Sequence, residues 1–146
     1  MTKEMVIQTV NQMALSADSR DWASCRACFA DEVYVDYTSL AGGEPATIAA
    51  DALIGSWEGL LPGFSATQHL LGSHVVNVQG ENAECEAHFQ ATHVIDDQQW
   101  TLGGRYHFEL QNHEEAWKIT AITMTALWSV GDQAGLLAQA QERASQ

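Results

Sequence analysis

The period of the apolar residues changes near residue 66, and this change limits the folds open to the chain. Before it, apolar residues recur at helical spacing, and residues 3–16 place Val6, Val10 and Met13 on one face. After it, apolar and polar residues alternate, which predicts strands at 66–79, 83–95, 99–111 and 116–128, joined by short polar hairpins. Helices followed by consecutive antiparallel strands predict an α+β domain, with N-terminal helices packed on a curved antiparallel sheet that encloses a conical pocket.

The remaining elements are shorter. Asp21 is a plausible N-cap for a second helix, and Asp51 for a third helix that ends before Pro62. A short strand is predicted at 33–37, a loop at 40–46 and a terminal tail or helix within 129–146. The whole chain, 1–146, is expected to form a single domain.

Composition excludes some classes of partner. The net charge is −13 with only six Lys and Arg residues, which argues against nucleic acid and anionic membrane surfaces. No run of apolar residues is long enough for a membrane span or a signal peptide, so we expect a cytoplasmic protein. Its three cysteines fit a reducing compartment, and the pair Cys25 and Cys28 is expected to pack as small buried helix residues.

Three polar side chains fall on strand positions that should face the interior. The odd residues of 83–91 are small or apolar, and His93 is the next residue of that parity. Tyr106 lies in an apolar row of even residues, and Tyr37 shares the parity of two valines in the strand 33–37. Each could simply be a hydrogen-bonded core residue, but together on one concave face they indicate a polar site.

A buried neutral histidine needs an orienting partner, and Asp18, at the end of the first helix, is the candidate for His93. A turn or capping role for Asp18 is the structural alternative. The parity of Val76 and Val78 turns His69 outward, unless a bulge near Gly72 shifts the register by one residue. Periodicity alone leaves these two placements of His69 open.

The sequence lacks the usual signals of other site types. Neither the histidines nor the cysteines have the spacing of a zinc site, so no metal is expected. The paired glycines lack the strand–glycine–helix context of a phosphate loop, and no nucleophile elbow indicates a hydrolase.

Several short motifs occur in an order typical of one superfamily. They are ADSRDW, VDYTSL, TQHLLG, ATHVID and GGRYHFEL. With helices before a curved sheet, they resemble the nuclear transport factor 2-like superfamily, in the SnoaL-like branch that includes scytalone dehydratase. The resemblance covers roughly residues 5–128 and implies a cystatin-like α+β barrel. It leaves the 129–146 segment outside the core.

The resemblance also implies roles for individual residues. Asp18 matches the pocket aspartate, His93 the histidine paired with it, His69 a second pocket histidine that faces inward, and Tyr37 a substrate-facing tyrosine. The chain departs from scytalone dehydratase at Ala17, where that enzyme has tyrosine, and at the positions of its pocket serine and asparagine. Those two positions are Gly104 and Tyr106 here. The resemblance therefore implies the acid–base chemistry more strongly than the substrate.

The leading hypothesis is a cofactor-independent lyase or isomerase that acts on a small apolar carbonyl compound. Asp18 would orient His93, one histidine would remove a proton next to the carbonyl, the other would protonate a departing hydroxyl, and Tyr37 would stabilise the enolate oxygen. The expected substrate-binding residues are Tyr106, Trp57 and Phe89.

Two alternatives remain open. The chain could be a non-catalytic ligand-binding or assembly module of the same fold, or the small subunit of a ring-hydroxylating dioxygenase, which would need a large partner chain. A homo-oligomer, either dimer or trimer, is expected because an open sheet edge and face are commonly covered by self-association. The substrate itself is expected to be a small molecule.

Overall fold

The computed structural model describes residues 2–146. Five helices are present in this range: α1 (Thr2–Asp18), α2 (Trp22–Ala27), α3 (Thr38–Ala41), α4 (Ala50–Glu58) and α5 (Gln133–Ala144). Six strands are present: β1 (Phe29–Asp36), β2 (Ala46–Ala49), β3 (Ala66–Gln79), β4 (Asn82–Ile95), β5 (Gln98–His113) and β6 (Ala116–Gly131). A 3₁₀ turn at Leu61–Gly63 connects α4 to β3. None of the helices described here is long and apolar enough to cross a membrane.

All six strands form one curved, unclosed sheet in the order β2-β1-β6-β5-β4-β3. The four long strands β3–β6 pair antiparallel with their sequence neighbours, as their alternating pattern predicts. The sheet is nevertheless mixed, because β1 pairs parallel with β6. The prediction of a wholly antiparallel sheet is therefore wrong at this pair. Alternation identifies the buried face of a strand, but it carries no information on the direction of a distant partner.

The predicted bulge in β3 is confirmed. Gly72 pairs with His88, but Val75 pairs with Glu86, so β3 contains one more residue than β4 across this step. Ser73 has a left-handed φ of 54°, which accommodates the extra residue. Before the bulge the odd residues of β3 face the interior, and after it the even residues do. His69 is consequently turned toward the helices.

Two details of the first half of the chain differ from prediction. Asp51 does not cap α4, because the helix begins two residues earlier than predicted, with Ala49 at the N-cap. The carboxylate of Asp51 accepts a hydrogen bond from Arg26 instead (2.7 Å). The predicted loop 40–46 overlaps the end of α3 and the start of β2. β2 has only four residues, too few for an alternating pattern to be recognised.

The core lies between the concave face of the sheet and the helices. Val6, Val10 and Met13 of α1 are buried on one helical face, as predicted. Cys25 and Cys28 are buried free thiols, and burial raises the pKa of Cys25 to about 12 and that of Cys28 to about 11. Neither thiol is reactive at neutral pH, which agrees with their predicted role as small core residues.

The C-terminal helix α5 completes one wall of the core. Its buried residues Leu136 and Ala140 face inward, and Arg143 forms an ion pair with Asp96 (3.0 Å) beyond the end of β4. The backbone of Gly63 in the 3₁₀ turn packs directly against the backbone of Ala140. This close approach is possible only because residue 63 has no side chain.

We predict that Gly63→Ala destabilises the protein, because the new Cβ would overlap the carbonyl oxygen of Ala140 and push α5 away. Overpacking of this kind costs about 1–3 kcal/mol of unfolding free energy, measured by urea denaturation. Gly55→Ala is the control: this helical glycine has open space around it, so the substitution should stabilise the protein by about 0.5–1 kcal/mol. Equal stability of the two variants would contradict the packing of α5 described here.

Candidate active site

A partly open, largely apolar cavity lies between the sheet and the helices, with a volume of about 190 Å³. Its walls come from α1, α3, α4, α5, the 3₁₀ turn and the concave face of the sheet. The polar or ionisable side chains of its lining are Tyr37, His69, His93 and Tyr106, together with the indole groups of Trp57 and Trp100. The remaining lining residues are Met13, Ala14, Ala17, Leu40, Leu60, Leu61, Phe64, Leu71, Ala91, Leu102, Met124 and Leu137.

Asp18 and His69 form a closely hydrogen-bonded pair at this cavity. The Oδ1 atom of Asp18 lies 2.7 Å from Nδ1 of His69, and the backbone N–H of His69 donates to Oδ2 (2.7 Å). Burial raises the pKa of Asp18, but hydrogen bonds from His69 and Thr67 outweigh it, so the pKa is lowered overall and the group is a carboxylate. A carboxylate can only accept, so Nδ1 of His69 carries a proton, and in the neutral ring Nε2 has a free lone pair.

The prediction that Asp18 pairs with His93 is wrong. The carboxylate faces the start of β3 and is occupied by His69, while His93 on β4 places its Nδ1 3.2 Å from the carbonyl oxygen of Trp100. The bulge of β3 explains the exchange of partners, because it brings His69 inward beside the end of α1. The predicted inward orientation of both histidines is confirmed, since both line the cavity.

His93 is held as a neutral imidazole. Its ring stacks on Trp100 (centroids 4.0 Å apart, 15° between planes), and only 6% of the residue is exposed. Burial and, next, the neighbouring His69 lower the pKa of His93 to about 4, although the hydrogen bond to Trp100 and the charge of Asp18 act in the opposite direction. Because a carbonyl only accepts, Nδ1 donates to Trp100, and Nε2 of the neutral ring is a hydrogen-bond acceptor.

Two tyrosines add hydroxyl groups to the cavity wall. Tyr37 follows β1 at the start of α3, and Tyr106 lies on β5. Burial raises the pKa of Tyr37 well above its ordinary value and that of Tyr106 to about 12, and the two phenol groups also influence one another. Both therefore remain protonated at neutral pH. The hydroxyl of Tyr37 donates to that of Tyr106, whose own O–H can donate a hydrogen bond to a ligand.

Of the three residues predicted to bind substrate, two line the cavity and one does not. Tyr106 and Trp57 line the cavity. Phe89 does not: its ring is stacked behind Tyr106, with centroids 4.4 Å apart, and it supports that ring from within the core. The prediction for Phe89 is therefore wrong. Strand alternation correctly predicted that Phe89 points to the interior. It could not show that the ring of Tyr106, on the adjacent strand β5, stacks on Phe89.

Thr67 and Arg20 support the Asp18–His69 pair, and sequence reasoning missed both. The hydroxyl of Thr67 donates to Oδ1 of Asp18 (3.1 Å) and accepts from Arg20 (2.8 Å). Arg20 also donates to the carbonyls of Leu61 (2.8 Å) and Ala17 (3.1 Å), so it connects α1, the 3₁₀ turn and β3. The available signal was weak: Thr67 shares the parity of His69, and Arg20 is one of only six basic residues.

We predict that Thr67→Val destabilises the protein by about 1.5–3 kcal/mol, because hydrogen bonds to charged groups have this magnitude. The substitution keeps the shape but leaves Asp18 without one donor, so the pKa of its carboxyl should rise. Urea denaturation and carbon NMR of the carboxyl measure the two effects. Thr120→Val is the control, since that hydroxyl bonds an exposed carbonyl of Glu109 on β5. A variant as stable as this control would show that Thr67 contributes little.

We also predict a pH effect from His93. In the unfolded chain the pKa of the imidazole is near 6.5, and in the folded protein it is about 4. The unfolded state therefore binds more protons between these values, and the free energy of unfolding should fall as pH drops from about 6.5 to about 4, by on the order of 3 kcal/mol. His93→Phe should remove this part of the slope in urea denaturation. An NMR titration of His93 with a midpoint near 6.5 would contradict the prediction.

Comparisons with known proteins agree with this fold. The model of the family described as "SnoaL-like domain" matches residues 2–123. The Kfla4162 protein from Kribbella flavida is 24% identical, with a TM-score of 0.86 over 93% of this chain and 96% of that chain. No curated protein sequence matches the chain.

Two further structures carry the names of enzymes. A "Putative Scytalone Dehydratase" from Novosphingobium aromaticivorans DSM 12444 is 17% identical, with a TM-score of 0.78 over 91% of this chain and 89% of that chain. The hexachlorocyclohexane dehydrochlorinase LinA-type3 from Novosphingobium barchaimii LL02 is 11% identical, with a TM-score of 0.71 over 91% of each chain. At these identities the similarity establishes a shared fold. The family match covers most of the chain, so the protein belongs to the SnoaL-like domain family, within the nuclear transport factor 2-like superfamily.

Proposed function

We propose that the protein is an acid–base enzyme that removes a proton from the carbon next to the carbonyl group of a small, largely apolar compound. The observation that carries this proposal is the 2.7 Å contact between Asp18 and Nδ1 of His69 at the wall of an apolar cavity. A carboxylate bonded to one ring nitrogen leaves the other as a base, and histidine titrates near neutral pH.

His69 is the proposed general base. Its Nε2 takes the proton, and the adjacent carboxylate of Asp18 stabilises the imidazolium that forms. Asp18 is well placed for this role because both of its oxygens are bound to the same residue, one by the ring and one by the backbone N–H. A general base of this kind contributes about 10²–10⁴ to the rate. This assignment replaces His93 as the partner of Asp18 in the mechanism expected from the sequence.

Tyr106 is the proposed donor to the enolate oxygen, and Tyr37 donates to the hydroxyl of Tyr106 and so orients it. Loss of the proton places negative charge on the carbonyl oxygen, and fixed hydroxyl donors in an apolar site stabilise this charge strongly. Their raised pKa values keep both phenols protonated and able to donate. Phe89, stacked behind Tyr106, holds the direction of that ring.

The enolate then expels a group from the adjacent carbon, and the proton on His69 returns to the departing atom. The electron pair of the broken C–H bond becomes the new C=C bond, and the leaving group takes its own bonding pair. Elimination is favoured over isomerisation or cyclisation because the names of two structural neighbours, a dehydratase and a dehydrochlorinase, both denote elimination. His93, neutral and with Nε2 free to accept, would orient a hydroxyl leaving group.

We predict that the protein accelerates exchange of the hydrogens next to the carbonyl of acetophenone and cyclohexanone in deuterated water, which proton NMR follows directly. This assay tests the base without knowledge of the natural substrate. Asp18→Asn and His69→Gln should each slow exchange by roughly 10²–10⁴-fold, because each removes the base or its charge partner. His107→Gln is the control, because this histidine contacts Glu84 and Glu86, away from the residues that line the cavity.

If a folded protein binds these ketones and exchanges none of their hydrogens, the catalytic proposal fails. The alternative, a non-catalytic ligand-binding module of the same fold, then takes its place. Circular dichroism of each variant establishes that it is folded before its rate is interpreted.

A further inference from the structure

We infer that the substrate is an uncharged molecule about the size of one substituted six-membered ring, and that the cavity excludes carboxylates and phosphate esters. This inference names the substrate class of the reaction proposed above and rests on that proposal. It depends on three independent features of the cavity: its volume, the charges around it, and the arrangement of its polar groups.

The volume of the cavity limits the size of the substrate. At about 190 Å³ the cavity is somewhat larger than a dry protein cavity of roughly 150 Å³ that holds benzene. A ring with one or two small substituents therefore fills it. Two fused rings that also carry a ketone substituent overfill the walled part of the cavity, where Trp100 is fully packed in the core and cannot move aside.

The charges exclude an anion. None of the cavity-lining residues described by the structure is Lys or Arg. The neighbouring Arg20 is already bonded to Thr67 and to the carbonyl oxygens of Leu61 and Ala17. The charge beside the cavity is instead the carboxylate of Asp18, and His93 remains neutral. A bound carboxylate would thus lie close to a like charge, with no Lys or Arg in the described cavity wall to pair with it, which is unfavourable.

The polar groups fit a single acceptor atom. Tyr106, which accepts a hydrogen bond from Tyr37, offers one hydroxyl donor, while the free nitrogens of the two histidines are acceptors when neutral. Most of the other lining side chains are aliphatic or aromatic. A cyclic ketone or aromatic aldehyde satisfies this pattern, because its carbonyl oxygen accepts from Tyr106 and its carbon skeleton contacts the apolar walls.

The first test compares three probes by isothermal titration calorimetry at neutral pH. Acetophenone and benzoate have the same number of non-hydrogen atoms and differ in charge, whereas 2-acetylnaphthalene keeps the ketone and adds a second ring. We expect acetophenone to bind about a hundredfold more tightly than benzoate, because the anion loses its hydration without a cation in return. We expect no measurable binding of 2-acetylnaphthalene. Equal or tighter binding of either comparison probe would overturn the inference.

Two substitutions test whether benzoate and acetophenone bind in the cavity. Leu40→Arg places a cation on half-buried α3 at the cavity wall and should make benzoate bind about tenfold or more tightly than it binds the unmodified protein. Leu137→Trp adds bulk from α5 and should abolish acetophenone binding, whereas Leu127→Trp adds the same bulk at an exposed residue and should not. Unchanged binding in both cavity variants would also overturn the inference.

The outcomes separate this inference from the proposed reaction. Selective binding of acetophenone without hydrogen exchange would support the cavity's selectivity and refute the catalytic proposal. Hydrogen exchange combined with preference for benzoate or for the bicyclic ketone would support the reaction and refute the substrate class.

Discussion

The extra residue in β3 determines which side chains meet inside this protein. Between Gly72 and Val75 the strand advances three residues while β4 advances two, so the buried parity changes from odd to even. Without that step, a strand that buries Val76 would turn His69 to solvent. With it, both halves of β3 bury their apolar sides, and His69 comes to lie beside the last residue of α1. The apolar core and the polar pair thus depend on the same local irregularity.

The Asp18–His69 pair is held in place by several hydrogen bonds. Asp18 receives the ring N–H and the backbone N–H of His69, and Thr67 and Arg20 extend the network to the 3₁₀ turn before β3. A carboxylate held at several points keeps its orientation toward Nδ1 of His69. The same negative charge, buried to the extent that only 15% of the side chain is exposed, opposes an anionic ligand.

Much of the fold followed from periodicity, because strand alternation is strong where one face is buried. The four long strands and the inward tyrosines were predictable from it, whereas the bulge followed only once the family resemblance placed His69 inward. The partner of Asp18 was not, since alternation gives the face of a side chain and not its distance from another element. The parallel pairing of β1 with β6 and the position of Phe89 behind Tyr106 likewise depend on contacts between distant segments.

The two cavity histidines differ because their surroundings differ. Their ring centroids are 5.8 Å apart, and two imidazolium ions so close in an apolar site would repel each other. Only one ring has a carboxylate, and that ring is His69. His93, stacked on Trp100 and bonded to a neutral carbonyl, gains nothing comparable on protonation. In the proposed reaction, the proton taken from the substrate would therefore reside on His69 and return from the face on which it was removed.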